Sequence, residues 1–71
     1  MAGIWRGVRS SNILAAAYDA AEQRLLVRFK SGATYAYSYV PQDVADGLVT
    51  APSAGVYLNT VIKDVYPYEQ V

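Results

Sequence analysis

Three tyrosines, Tyr35, Tyr37 and Tyr39, occupy alternate positions in the middle of the chain. Residues two apart on an extended strand face the same side of a sheet, so the three rings would form a row. Such a row offers π faces on which unpaired nucleic-acid bases stack, each contributing about 1–3 kcal/mol. The alternative role is structural, because a chain this short needs large rings such as those of Tyr35 and Tyr37 for its core.

Basic residues come just before the tyrosines. Arg24, Arg28 and Lys30 are separated by even numbers of positions, which places them on one face of the preceding strand. Beside the tyrosines they would form a basic and aromatic surface, whereas alone they would only keep an open face soluble. Trp5, near the N-terminus, either seals one end of the core or enters a partner. The candidate binding residues are therefore Tyr35, Tyr37, Tyr39, Arg28, Lys30 and Trp5.

The 71 residues include no histidine and no cysteine. The chain therefore lacks the commonest general base, a thiolate nucleophile and the usual ligands of zinc. A serine nucleophile would need a base that no motif supplies, and the two aspartates at 43 and 46 more simply solvate the outer face of a helix. We expect a non-catalytic protein with no cofactor, no metal and no small-molecule substrate.

The spacing of apolar residues predicts an α+β fold. A three-stranded antiparallel β-meander is expected at about 13–19, 24–30 and 33–39. Two helices, at about 41–50 and 53–62, would pack on one face of this sheet, since their apolar residues recur every three or four positions. The N-terminal arm, 1–9, and the C-terminal tail, 64–71, would add an edge strand or lie against the helices.

The turn between the second and third strands determines which way the tyrosines face. If Ser31 and Gly32 alone form the loop, Arg28 lies opposite Tyr35 and the tyrosines point to the open face. If Lys30 joins the loop, with Gly32 in a left-handed conformation, the register slips by one residue and the tyrosines become half-buried. Both registers fit the sequence.

Several short motifs follow one another along the chain, and together they resemble the pattern of the KTSC domain family. They are Ser10-Ser11-Asn12-Ile13, Tyr18-Asp19, Phe29-x-x-Gly32-x-x-Tyr35-x-Tyr37, Val40-Pro41 and Ser53-x-Gly55-x-Tyr57-x-Asn59-x-x-Ile62. This family includes a domain at the C-terminus of some lysyl-tRNA synthetases and free-standing bacterial and phage proteins. The resemblance implies a single domain over 1–71 with its core at about 10–68. It also implies RNA binding, by association with the synthetase, with Tyr35 and Tyr37 matching the central Tyr-x-Tyr of the family.

Two functions stay open at this stage. The first is RNA binding through a sheet face that bears tyrosine and arginine side chains. The second is protein–protein interaction, either by self-association or by docking on, and inhibiting, a larger host or phage protein machine. Zero net charge favours the second, as does an apolar content of 54%, because exposed apolar surface marks a partner contact. Without cysteine, leader or long apolar run, the chain is expected in the cytoplasm and away from membranes.

Overall fold

The computed structural model describes residues 5–71, which form one sheet with helical segments packed on one of its faces. The sheet is antiparallel, and its strands are neighbours in the order in which they follow along the chain. The predicted α+β class is confirmed. The strands are β1 (Arg6–Gly7), β2 (Ile13–Asp19), β3 (Arg24–Phe29), β4 (Thr34–Tyr37) and β5 (Tyr68–Gln70).

The sheet has five strands, so the prediction of a three-stranded meander was wrong in number. The two extra strands come from the predicted arms: β1 pairs with β2, and β5 pairs with β4. Each arm supplies backbone partners to an outer strand whose N–H and C=O groups would otherwise face solvent. Strands of two or three residues are too short to show alternation in a sequence. Positions 1–4 of the predicted arm lie outside the described residues.

The turn between β3 and β4 is the longer of the two predicted loops. Val27 lies opposite Tyr35, which leaves 30–32 as the loop. The amide of Gly32 donates to the carbonyl of Phe29 over 3.0 Å. Gly32 has φ 102°, a conformation that a residue without Cβ adopts at little cost. The register in which the tyrosines turn toward the core is therefore the one that forms.

The strand predicted at 33–39 is shorter than expected and ends at Tyr37. Tyr39 has φ 63°, in the left-handed region, which an extended strand cannot contain. The amide of Val40 donates to the carbonyl of Gln23 over 2.9 Å, and this bond turns the chain away from the sheet toward the first helix.

The first helix, α1 (Gln42–Thr50), agrees with the prediction of a helix at about 41–50. It begins directly after Pro41, whose φ of −65° suits the residue that precedes a helix. Asp43 lies in its first turn, next to the positive end of the helix dipole. No helix within residues 5–71 has the length and apolar character needed to cross a bilayer.

The second helical segment is not the regular helix predicted at 53–62. It begins as α2 (Ala54–Tyr57), and the hydroxyl of Ser53 accepts a hydrogen bond from the amide three residues later, as a helix cap does. It then widens into a π-helical turn, Leu58–Ile62, in which the amide of Lys63 donates to the carbonyl of Leu58 over 2.8 Å. Such turns are often found at functional sites.

The core lies between the helical segments and the helix-facing side of the sheet. Its buried side chains come from three strands, β2, β3 and β4, from the loop before α1 and from both helical segments, and they form one continuous cluster. Its members are Ile13, Ala16, Leu25, Val27, Tyr37, Val40, Ala45, Leu48, Ala54, Leu58 and Ile62. On the opposite side of the sheet, which we call the open side, Ala17 and Ala36 are buried, whereas Arg28 is exposed.

Candidate functional site

The register of the β3–β4 hairpin separates the predicted binding residues onto two faces. Tyr35 and Tyr37 lie on the helix-covered side, where Tyr37 belongs to the core. Arg28 is opposite Thr34 and lies on the open side. A two-residue loop would have placed Arg28 opposite Tyr35, but the three-residue loop shifts the pairing by one. The predicted surface that combines these tyrosines with Arg28 is therefore not formed.

Tyr39 is also separated from the other two tyrosines. Its left-handed backbone turns it out of the strand, and its side chain is 72% exposed. It lies in a shallow depression together with Glu22, Arg24 and Glu69. The predicted row of three rings is thus reduced to two, and the third ring sits in an acidic neighbourhood.

Four aromatic rings line a cleft beside the π-helical turn, and we name this the tyrosine cleft. Tyr68 of β5 lies next to both Tyr35 and Tyr37, with ring centroids 5.6 Å apart in each pair. Phe29 meets Tyr35 edge-on, at 5.6 Å and 85°. The cleft has a volume of about 420 Å³. Its lining residues are Phe29, Ser31, Ala33, Tyr35, Tyr37, Leu58, Asn59, Lys63 and Tyr68.

The hydroxyls of the cleft tyrosines differ from those of two structural tyrosines. Tyr18 and Tyr57 donate to backbone carbonyls across the core. Within residues 5–71, no protein acceptor lies within hydrogen-bond reach of the hydroxyls of Tyr35, Tyr37 and Tyr68, and no buried side-chain oxygen lacks a partner. These three hydroxyls are therefore accessible to solvent. Burial raises the pKa of Tyr37 above its ordinary value, and the neighbouring Tyr68 and Tyr35 raise it further.

The π-helical turn supplies the polar side of the cleft. Asn59 and Lys63 both line it, and both are exposed, while Leu58 between the cleft and the core is buried. An amide and an ammonium group can donate hydrogen bonds to an anionic or carbonyl-bearing ligand. The cleft thus combines aromatic walls with donors at one side.

Comparison with known proteins identifies the family. A family model described as KTSC domain matches residues 9–66. The chain belongs to the KTSC domain family. A protein from Tsukamurella paurometabola is 52% identical over 56 residues, which cover 79% of this chain and 84% of the relative. An uncharacterized protein from Stutzerimonas stutzeri is 41% identical over 56 residues, which cover 79% of each chain.

A crystal structure shows the same fold in another KTSC domain. This KTSC domain protein from Yersinia pestis has a TM-score of 0.90 and 29% identity, covering 100% of this chain and 99% of its own. The resemblance predicted from the sequence motifs is therefore confirmed. Tyr35 and Tyr37 lie within the matched 9–66, whereas Tyr68, which forms a wall of the cleft, lies beyond it.

Sequence reasoning missed four residues of the tyrosine cleft in this KTSC domain. Tyr68 lay in the predicted tail, 64–71, which has no strand pattern, and Phe29 and Asn59 appeared only within the motifs of the family resemblance. Lys63 follows the predicted helix at 53–62, where a basic residue favours the negative helix end. The available signal was the pair of aromatic residues around Pro67 in the tail, since aromatic side chains in a tail need a surface to pack on.

Arg28 and Trp5 meet on the open side of the sheet. The guanidinium carbon of Arg28 lies 4.4 Å from the centroid of the indole ring, which is the geometry of a cation–π contact. Trp5 is 38% exposed and lies outside the hydrophobic core, so it does not seal the core. Lys30, at the tip of the β3–β4 turn, is exposed.

Acidic residues gather at the end of the sheet away from the β3–β4 turn. Burial raises the pKa of Tyr18, and the nearby carboxylates of Asp46, Asp43 and Asp19 raise it further. Tyr18 pairs with the start of β3, whereas the turn follows the end of that strand. The KTSC domain is therefore neutral overall but carries a concentration of negative charge around Tyr18, which lies two strands across the sheet from Tyr37.

A larger cleft, of about 570 Å³, lies between β2 and α1. Arg6 and Asp46 are among its lining residues, but most of the others are alanines and aliphatic side chains. Its one aromatic ring is that of Tyr18, whose hydroxyl is bonded to the carbonyl of Val40. This cleft provides no stacking surface comparable to the tyrosine cleft.

Proposed function

We propose that this KTSC domain is a non-catalytic binding module that takes single-stranded nucleic acid, RNA in the first place, into the tyrosine cleft. The observation that carries the proposal is the set of three closely spaced tyrosine rings that line a cleft together with Lys63. Structural tyrosines in the same molecule direct their hydroxyls to backbone carbonyls. The exposed ring of Tyr68 and the partly exposed ring of Tyr35 are available to stack on bases, whereas the ring of Tyr37 is buried behind the cleft wall.

The positions of the lysines also favour the tyrosine cleft as the binding site. Lys63 lines the cleft, and Lys30 adjoins Ser31, another lining residue. The carboxylates of Asp19, Asp43 and Asp46 lie near Tyr18, two strands across the sheet from Tyr37. The two lysines give phosphates a local contact at the cleft, although zero net charge keeps nonspecific affinity low.

Substitution of Tyr68 tests the proposal. Fluorescence anisotropy with a labelled oligouridylate at low salt should show binding, and Tyr68→Ala should weaken it by about tenfold or more, because one stacking contact is lost. Tyr39→Ala is the matched control, since Tyr39 is exposed but lies at the acidic end. Tyr68→Phe keeps the ring and should retain most of the affinity.

Two results would reject RNA binding in the cleft. One is the absence of binding at tens of micromolar protein in low salt. The other is an equal effect of Tyr68→Ala and Tyr39→Ala, which would show that the cleft is not the contact. Thermal unfolding of each variant separates a loss of affinity from a loss of fold.

A second candidate function is protein–protein interaction, through self-association or through docking on a larger protein. It is favoured by large apolar side chains that remain exposed on several elements, among them Val56, Val65 and Val71, each at least 60% exposed. Sedimentation over a range of concentrations is the measurement. A molecule that stays monomeric at high concentration would leave self-association without support. In either function we place the protein in the cytoplasm.

A further inference from the structure

We propose that a nucleic-acid strand bound in the tyrosine cleft continues around the β3–β4 turn to a second stacking contact, at Trp5 and Arg28 on the open face of the sheet. This inference rests on the proposed function and extends it. It predicts a ligand longer than the cleft alone would hold, and it assigns a role to the basic residues of the turn.

The two contacts lie on opposite faces of the same hairpin, close to its tip. Side chains alternate along a strand, so Arg28 points to the open face and Phe29, the next residue, lines the cleft. Lys30 follows at the exposed tip, and Ser31 lines the cleft again. The route between the two faces is therefore a turn of a few residues, without a layer of helix in between.

Positive charge follows this route. Lys63 lies at the cleft, Lys30 at the tip and Arg28 on the open face. Among residues 5–71 the ion pair that forms is Arg24–Glu69, so the three cations of the route are not paired with carboxylates. Phosphates of a strand that rounds the tip would meet one cation at each stage.

The second contact has the chemistry of a base-stacking site. The Arg28 guanidinium is held 4.4 Å from the centre of the indole ring, and Trp5 is partly exposed. Planar guanidinium and indole groups both stack on nucleic-acid bases. Leu26, on the same face, is partly exposed, whereas Ala17 and Ala36 beside it are buried.

Oligouridylates of two lengths test the continuous path. The protein has one tryptophan, so its fluorescence reports directly on Trp5. An oligouridylate of about eight nucleotides, within the site sizes known for small single-strand-binding folds, should quench this fluorescence and bind about tenfold tighter than a dinucleotide or trinucleotide. The short ligands should occupy the cleft and leave the fluorescence unchanged.

Matched variants of β3 locate the second contact. Arg28→Gln should weaken binding of the long oligouridylate by about tenfold, measured by anisotropy, and should leave the short one unaffected. Arg24→Gln is the control, because Arg24 lies four residues away on the same face of the same strand, toward the acidic end. Lys30→Gln should reduce the slope of log affinity against log salt by about 0.7, the loss of one phosphate contact.

The outcomes separate this inference from the proposed function. If both lengths bind equally, and Arg28→Gln matches Arg24→Gln while Tyr68→Ala abolishes binding, the path is wrong and the cleft stands. If quenching of Trp5 survives Tyr68→Ala, the open face acts alone and the continuous path is overturned. If neither length binds, the proposed function fails and this inference fails with it.

Discussion

Alpha helices α1 and α2 meet where Gly47 lies against the ring of Tyr57. A Cβ atom at position 47 would fall 2.6 Å from Cζ of that ring and closer still to its hydroxyl oxygen, far inside van der Waals contact. The ring cannot easily move away, because its hydroxyl donates to the carbonyl of Val44 over 2.8 Å. The substitution Gly47→Ala should therefore destabilise the fold.

Three effects set the size of this change. Replacing glycine by alanine inside a helix stabilises by up to about 1 kcal/mol. Overpacking of a well-filled site costs about 1–3 kcal/mol. Displacing Tyr57 from the carbonyl of Val44 costs a further 0.5–1.5 kcal/mol or so. We expect a net loss of about 2 kcal/mol, which lowers the melting temperature of a domain this small by roughly 10 °C.

Urea unfolding followed by circular dichroism measures the change. The matched control is Gly55→Ala, because Gly55 is also helical and a Cβ there would meet only the hydroxyl oxygen of Ser10, at 3.4 Å. That variant should be as stable as the native chain or up to about 1 kcal/mol more stable. If the Gly47→Ala variant is as stable as the Gly55→Ala variant, the packing argument is refuted. In a double variant that combines Gly47→Ala with Tyr57→Ala, the clash should be absent.

Three further outcomes follow from burial and charge. Burial raises the pKa of Tyr37 above its ordinary value of 10.0, so its contribution to stability is complete below about pH 10 and is lost as the pH rises further. Relative to Tyr37→Phe, the native chain should therefore lose free energy of unfolding only in alkaline solution. Ile62→Val should lower the free energy of unfolding by about 1 kcal/mol, since Ile62 is fully buried. Glu69→Gln should change the free energy of unfolding, measured in urea, by less than about 0.5 kcal/mol. The reason is that the side chains of the Arg24–Glu69 pair are 39% and 70% exposed, and exposed ion pairs stabilise little.

The central hairpins and α1 were predictable because their signals are local. Strand β3 alternates apolar and polar residues, and Pro41 and Ser53 mark helix starts at their own positions. Strands β1 and β5 exist because the outer strands need backbone partners. The sequence allowed each arm either to add an edge strand or to lie against the helices, because so short an arm shows no alternation. The left-handed backbone of Tyr39 depends on the bond from Val40 to Gln23, residues distant in sequence.

The arrangement of the candidate binding residues was harder to predict than the elements, because one turn decides which side chains share a face of the sheet. The sequence allows loops of two or three residues at Gly32, and the choice moves Tyr35 and Tyr37 from one face of the sheet to the other. The three-residue loop takes the tyrosines to the helices, where Tyr68 and the π-helical turn complete a cleft around them. It leaves Arg28 to meet Trp5 on the opposite face. The sequence predicts one surface of basic and aromatic side chains, but the fold divides these side chains between the two faces of the sheet. In the binding mode that we propose, a ligand contacts both faces by passing around the tip of the hairpin.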